Sequence, residues 1–177
     1  MPIIKAILAS LLTLTVTSSV TFGSELLRTP ATIVGDNYGF TEGPVWVKDK
    51  KIWLFTDIPM NKIYSLDSNG NVNVWLEDSG YANGLNIDKD NNIWIAHHCR
   101  KVSKTTPKGK NYIVASTYNG KKLNSPNDIA IRKDGSTWFT DPMYGITLKG
   151  FGCEVAKEEQ SVRGFITNID RAIANII

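Results

Sequence analysis

Glu42-Gly43-Pro44-Val45-Trp46-Val47-Lys48-Asp49-Lys50-Lys51-Ile52-Trp53-Leu54-Phe55-Thr56-Asp57 is the stretch whose reading decides the fold. It opens on a carboxylate and a Gly-Pro pair, runs through a short apolar strand and turns on charged residues. It then returns through an aromatic-rich strand to an acid. The same plan begins again at Asn83-Gly84-Leu85, 41 residues on, and at Asn127-Asp128-Ile129, a further 44 residues on. The matching end positions are Asp57, His98 and Asp141. A period of about 40 residues that carries several short strands is the signature of a β-propeller blade. Blades start their inner strands around one axis, so Glu42, Asn83 and Asn127 are expected to meet there.

The rest of each blade follows outward from this core. Lys62 to Asp67 reads as a third strand, ended by Ser68-Asn69-Gly70, and Asn-Gly is a strong hairpin signal. Val72, Val74 and Leu76 then alternate with Asn73 and Trp75, the period of a strand. The second repeat gives strands at 84–88, 93–97, 102–106 and 112–115. The third gives strands at 127–131 and 138–141, an excursion over 142–161, and a strand at 163–170. The fold class is therefore all-β. Antiparallel four-stranded blades are predicted at 42–77 and 83–116, and most of a third at 127–170, in a domain over 31–177 with a short β-type segment at 31–34. Propellers close with roughly 4–8 blades, and about three of an expected six are present here. Open strand edges invite pairing. The expectation is a chain cut short, or one completed by a second chain that carries the remaining blades.

Of the 177 residues, 42% are hydrophobic and 21% charged, and the net charge is +3. The charges are scattered, with no basic run of the kind that binds nucleic acid. Residues 1–23 read as an export signal: Lys5 supplies the positive region, Ala6 to Val16 a short apolar run, and Ser and Thr the small residues near a cleavage point. The run is too short to span a bilayer, which takes roughly 20 apolar residues. The mature protein is expected to be periplasmic or secreted, with no membrane segment. Cys99 and Cys153 are not at a metal spacing, and in an oxidising compartment they are free to pair. Their separation in sequence leaves that pairing open.

Five motifs occur in order: Glu42-Gly43-Pro44-Val45-Trp46, Phe55-Thr56-Asp57-Ile58-Pro59, Ala82-Asn83-Gly84-Leu85, Asn124-Ser125-Pro126-Asn127-Asp128-Ile129 and Phe139-Thr140-Asp141-Pro142-Met143-Tyr144-Gly145. Together they resemble the gluconolactonase / senescence-marker-protein / luciferin-regenerating-enzyme family, from about Ile33 to Gly145. The resemblance implies a six-bladed propeller with a divalent cation, usually calcium, in the central pocket, and a lactone substrate. It implies that Glu42 is a metal ligand and that Asn127 is a ligand or a substrate contact. Two further metal-binding positions of the family, an Asn and an Asp of its second half, have no counterpart in these residues.

The chemistry agrees with the residue types. A hard cation polarises an ester carbonyl and acidifies water, and calcium accepts amide oxygens beside carboxylates. Asn83 holds the matching place in the second repeat, where a pocket role and a plain Asn-Gly turn are both open. Asp141 is a candidate substrate contact, Asp57 a turn-fixing acid, and Asp128 an acceptor of backbone hydrogen bonds. His97 and His98 should face opposite ways. One is a candidate proton shuttle, against the plainer reading of a packed histidine. Trp46, Trp53, Trp75, Trp94 and Trp138 recur with the blades and are expected between them. The sequence names no general base. Two other readings stand beside a metal-dependent lactonase: a non-catalytic binding propeller, and a fragment inactive without its remaining blades.

Overall fold

The computed structural model describes residues 31–153 and 166–169. Its contacts divide the chain into Met1–Ile33 and Val34–Ile177. The expected signal at 1–23 lies outside the described residues. The segment 31–34 is exposed and forms no strand; β-branched residues favour a strand only where a neighbouring strand or packed face receives them.

In the second unit, β1 (Thr41–Val47), β2 (Ile52–Asp57), β3 (Lys62–Asp67) and β4 (Val72–Leu76) form a four-stranded sheet in the order β1-β2-β3-β4. β5 (Ala82–Ile87), β6 (Ile93–His97), β7 (Lys101–Thr105) and β8 (Asn111–Ala115) form a second sheet of the same order. A two-stranded hairpin follows, β9 (Thr117–Tyr118) and β10 (Lys121–Lys122). The third sheet runs β11 (Ile129–Ile131), β12 (Thr137–Thr140) and β13 (Ile166–Ile169), with a helical turn α1 (Tyr144–Thr147) between β12 and β13. Every pairing is antiparallel between strands adjacent in sequence, the meander of a propeller blade.

The turns repeat as well as the strands. Asp67 Oδ1 accepts the Asn69 and Asn71 N–H groups at 2.8 and 2.9 Å. Asp88 Oδ1 accepts those of Asp90 and Asn92, both at 2.9 Å. Such Asx turns stand in for backbone hydrogen bonds and fix the strand ends. Burial pushes the Asp88 carboxyl up, yet the donors Trp94 and Asn92 outweigh it and hold its pKa below the usual value.

Packing between blades explains the apolar pattern. Val47, Leu54 and Ile63 of the first blade meet Ala82, Leu85, Ile93 and Ile95 of the second. Trp94, Ala96 and Val102 on the opposite face of the second blade meet Leu123, Ile129 and Phe139. Period-two alternation therefore sends Ile93 and Ile95 one way and Trp94 and Ala96 the other. The middle blade is covered on both faces, so all of β6 is buried. Trp94 and Trp75 pack between blades as expected. Trp46 and Trp53 do not: their rings meet at a 53° tilt with centroids 5.4 Å apart, and they stay 40% and 45% exposed on the other face of the first blade.

His97 closes β6 inside the second blade. Its Nδ1 lies 2.7 Å from the Ser79 carbonyl, which can only accept, so Nδ1 carries the hydrogen. Nε2 then accepts from the Ser103 hydroxyl, also at 2.7 Å. Burial, helped by Lys101, pushes the His97 pKa down to about 3, whereas an unfolded histidine titrates near 6.5. Between those values the unfolded chain takes up a proton that the folded chain refuses. Stability is thus fully present above about pH 6.5 and declines as pH falls. At ~1.4 kcal/mol per pH unit, the loss reaches ~2 kcal/mol at pH 5. Urea unfolding at pH 7.5 and 5 should show this loss, and His97→Gln should remove that part of the slope.

Candidate functional site

The starts of the three inner strands are locked side by side through backbone. Gly43 has φ +53°, and a Cβ there would overlap the Asn83 carbonyl oxygen and lie 2.8 Å from the Leu85 nitrogen. Gly84 N–H donates to the Asn127 carbonyl at 2.7 Å, and a Cβ on Gly84 would lie 2.6 Å from that oxygen. Thr56 Oγ1 donates to the Asn83 carbonyl at 3.0 Å. The β1/β2 register slips between Glu42 and Val45, and the β5/β6 register slips between Ala82 and Leu85. These irregularities sit at equivalent places and re-aim the strand starts. The glycines after Glu42 and Asn83 are therefore the means by which one blade's backbone reaches the next, setting the strand starts at Glu42, Asn83 and Asn127 side by side.

The second-strand ends hold these starts in place. Asp57, fully buried, accepts the Gly39 and Phe40 N–H groups at 2.9 and 3.0 Å, just before Glu42. Asp141 accepts the Asn124 N–H at 2.8 Å, just before Asn127. In each case the acid grips the residue three places ahead of the pocket residue. Burial pushes the Asp141 pKa up, against the Asn124 and Ser125 amides and the Arg100 charge. Asp128 accepts the Ile129 N–H at 2.8 Å. Asp57→Ala would remove two hydrogen bonds that a buried carboxylate accepts. At roughly 1.5–3 kcal/mol for each hydrogen bond to a charged group, chemical denaturation should register a loss of about 3 kcal/mol.

The second blade carries His98 where the others carry an acid. Its Nδ1 faces the Phe151 carbonyl, an obligate acceptor, so Nδ1 bears the hydrogen and Nε2 presents its lone pair. Asn83 Nδ2 donates to that lone pair at 2.9 Å, and Asn127 Nδ2 approaches it at 3.5 Å. One imidazole nitrogen thus gathers two amide nitrogens. The Oδ1 atoms of Asn83 and Asn127 make no hydrogen bond among the described residues. Burial pushes the His98 pKa down, while the Phe151 carbonyl and the Glu42 charge oppose it. Glu42, at the exposed start of β1, is close enough for its charge to act on His98.

The structure therefore brings together Glu42, Asn83 and Asn127, and adds His98. The Asp141 carboxylate is turned to the Asn124 loop, with no hydrogen bond to Asn83, Asn127 or His98. His98 is the residue that the sequence left among packed histidines; its signal was the shared end position with Asp57 and Asp141. The donors are a carboxylate and two amide oxygens, all hard, and His98 Nε2 is already engaged. That set suits an oxygen-seeking cation rather than zinc. No cluster of three or more His, Cys, Asp or Glu exists among the described residues.

The sequence and the fold are similar to those of known proteins. Residues 40–153 match the family model for the SMP-30/Gluconolactonase/LRE-like region. A gluconolactonase of Zymomonas mobilis subsp. mobilis is 34% identical over 136 residues, covering 68% of this chain and 38% of that protein. A solved gluconolactonase of Xanthomonas campestris superposes with a TM-score of 0.73 at 25% identity, over 78% of this chain and 46% of that one. A structural-genomics structure described as a gluconolactonase gives a TM-score of 0.73 at 28% identity, over 79% and 48%. The chain spans less than half the length of each of these relatives.

Proposed function

Since the chain belongs to the SMP-30/Gluconolactonase/LRE-like family, we propose that it serves the hydrolysis of a lactone at the pocket end of its blades. A divalent cation, calcium by preference, is the proposed cofactor. The observation that carries this reading is the pair of amides, Asn83 and Asn127, whose nitrogens both turn to His98 Nε2. Their oxygens are left as donors, and the Glu42 charge acts on the same imidazole.

In this reading Glu42 and Asn127 hold the cation, and Asn83 and Asn127 orient the substrate. Such a cation supplies Lewis acidity toward the ester carbonyl and toward water. The protein's own residues do the arranging. Asp57 and Asp141 fix the backbone before Glu42 and Asn127, which makes Asp141 a brace rather than a substrate contact. His98 is neutral and hydrogen-bonded at both nitrogens, so it holds the amides rather than moving protons. A polar substrate with hydroxyl donors, such as a sugar lactone, suits the two amide oxygens.

The exposed aromatic face of the first blade, with Trp46 and Trp53 beside Phe55 and Tyr64, favours a further reading. This face would receive additional blades, from the same chain or from a second one. An export address is also proposed, supported by the N-terminal pattern and by the Cys99–Cys153 bond, a cross-link typical of oxidising compartments.

The test is the rate of acid release from glucono-δ-lactone above the spontaneous background, followed in a pH-stat, with calcium and then with excess chelator. Hydrolysis that the chelator stops supports the reading. No hydrolysis, together with no effect of calcium on melting, removes it for these residues.

A further inference from the structure

The segment from Pro142 to Cys153 lies directly on His98. Ser125 Oγ donates to the Pro142 carbonyl at 2.6 Å and accepts the Gly145 N–H at 2.9 Å. A Cβ on Gly145 would sit 2.5 Å from His98 Cβ and 2.7 Å from His98 Cγ. A Cβ on Gly152 would in turn overlap the Gly145 carbonyl. Two glycines therefore let this strap stack backbone on backbone against the imidazole. At its far end the Phe151 ring meets the Phe40 ring edge to face at 5.7 Å, and the Phe151 carbonyl takes the His98 Nδ1 hydrogen. Two residues later Cys153 is bonded to Cys99, the neighbour of His98, with Cα atoms 5.0 Å apart.

We propose that the Cys99–Cys153 disulfide is a positioning device for the site, holding the Phe151 carbonyl on His98 so that both pocket amides turn their oxygens outward. The chain of causes is short. With Phe151 in place, only Nδ1 can carry the hydrogen, so Nε2 must accept and Asn83 must present Nδ2. Were the carbonyl withdrawn, the ring could take the other tautomer and present Nε2–H. Asn83 would then have to rotate and offer Oδ1 to the ring, taking that oxygen out of the pocket. The bridge spans 54 residues in sequence, and it joins the strap to the residue beside the imidazole. Cys153 is exposed, within reach of a small dithiol. The functional half of this inference rests on the lactonase reading, whereas the geometric half does not.

The test is 15N NMR of the histidine rings in the full chain, before and after reduction with dithiothreitol. The dithiol gives up two electrons and two protons and becomes a cyclic disulfide, and Cys99 and Cys153 become thiols. In the bridged protein, His98 should show a single Nδ1–H tautomer. After reduction, and in Cys153→Ser, its two nitrogen shifts should converge as both tautomers are populated, and the Asn83 side-chain NH2 signals should move with them. His97, fixed by Ser79 and Ser103, should not change. A His98 that keeps its tautomer after reduction overturns the proposal. So does a simultaneous change at His97 and His98, which would make the bridge a support of the whole blade. If the bridged chain hydrolyses a lactone, reduction should lower kcat roughly tenfold, the scale seen when residues behind metal ligands are lost; an unchanged kcat refutes the functional half. A tautomer change in a chain with no hydrolysis refutes the lactonase reading and leaves the positioning role standing.

Discussion

Glu42→Gln should lower lactone hydrolysis about 100-fold or more while leaving unfolding nearly unchanged. The first half follows from charge. A carboxylate that helps hold a cation against a polarised carbonyl supports several kcal/mol of transition-state stabilisation, and ~2.7 kcal/mol is already a factor of 100. Glutamine keeps the shape and an oxygen donor but removes the charge. The second half follows from the contacts. Glu42 makes no ion pair among the described residues, and it stands exposed at the start of β1. Its charge acts on His98. Surface changes of that kind usually stay within about 0.5 kcal/mol. Steady-state kinetics beside a urea melt would separate the two effects. A large stability loss would mean that Glu42 is a structural residue.

Gly43→Ala should do the opposite, costing about 3 kcal/mol or more of stability. The left-handed backbone at φ +53° penalises any side chain by roughly 1–2 kcal/mol. The added methyl would also overlap the Asn83 carbonyl oxygen, and overpacking of this kind adds roughly 1–3 kcal/mol. Against a usual total of roughly 5–15 kcal/mol, that is a large share. The control is Gly70→Ala, where φ is +85° but nothing lies within 4 Å of the new atom. Only the conformational part remains there, ~1–2 kcal/mol. Urea midpoints of the two variants should therefore differ clearly. Equal losses would show that the close approach of the first and second blades contributes nothing.

How much of this was legible in the sequence depended on the range of the interactions. β2, β3 and β6 occupy the residues that alternation and turn chemistry predict, because both signals act within a few residues. The meeting of Glu42, Asn83 and Asn127 was legible because it repeats. The role of His98 was not, since its partners Asn83 and Phe151 lie 15 and 53 residues away. Strand periodicity places His98 opposite His97, but it does not say that the strand ends between them and turns the second ring into the pocket. Trp46 and Trp53 carry the same signal as Trp94, and only the neighbouring blade decides which is covered. The hairpin around Asn119-Gly120 has the usual turn pair, yet its strands are two residues each and wholly exposed. No apolar alternation marked them.

Calcium binding by the chain itself tests the central claim most directly, because it asks for the site and not for turnover. Calorimetric titration of calcium into the chelator-treated protein, beside Glu42→Gln, should give one saturable site in the first and none, or one roughly 10–100-fold weaker, in the second. Equal binding by both proteins, or no binding by either, would contradict the assignment of Glu42, Asn83 and Asn127 to a cation-dependent lactonase site.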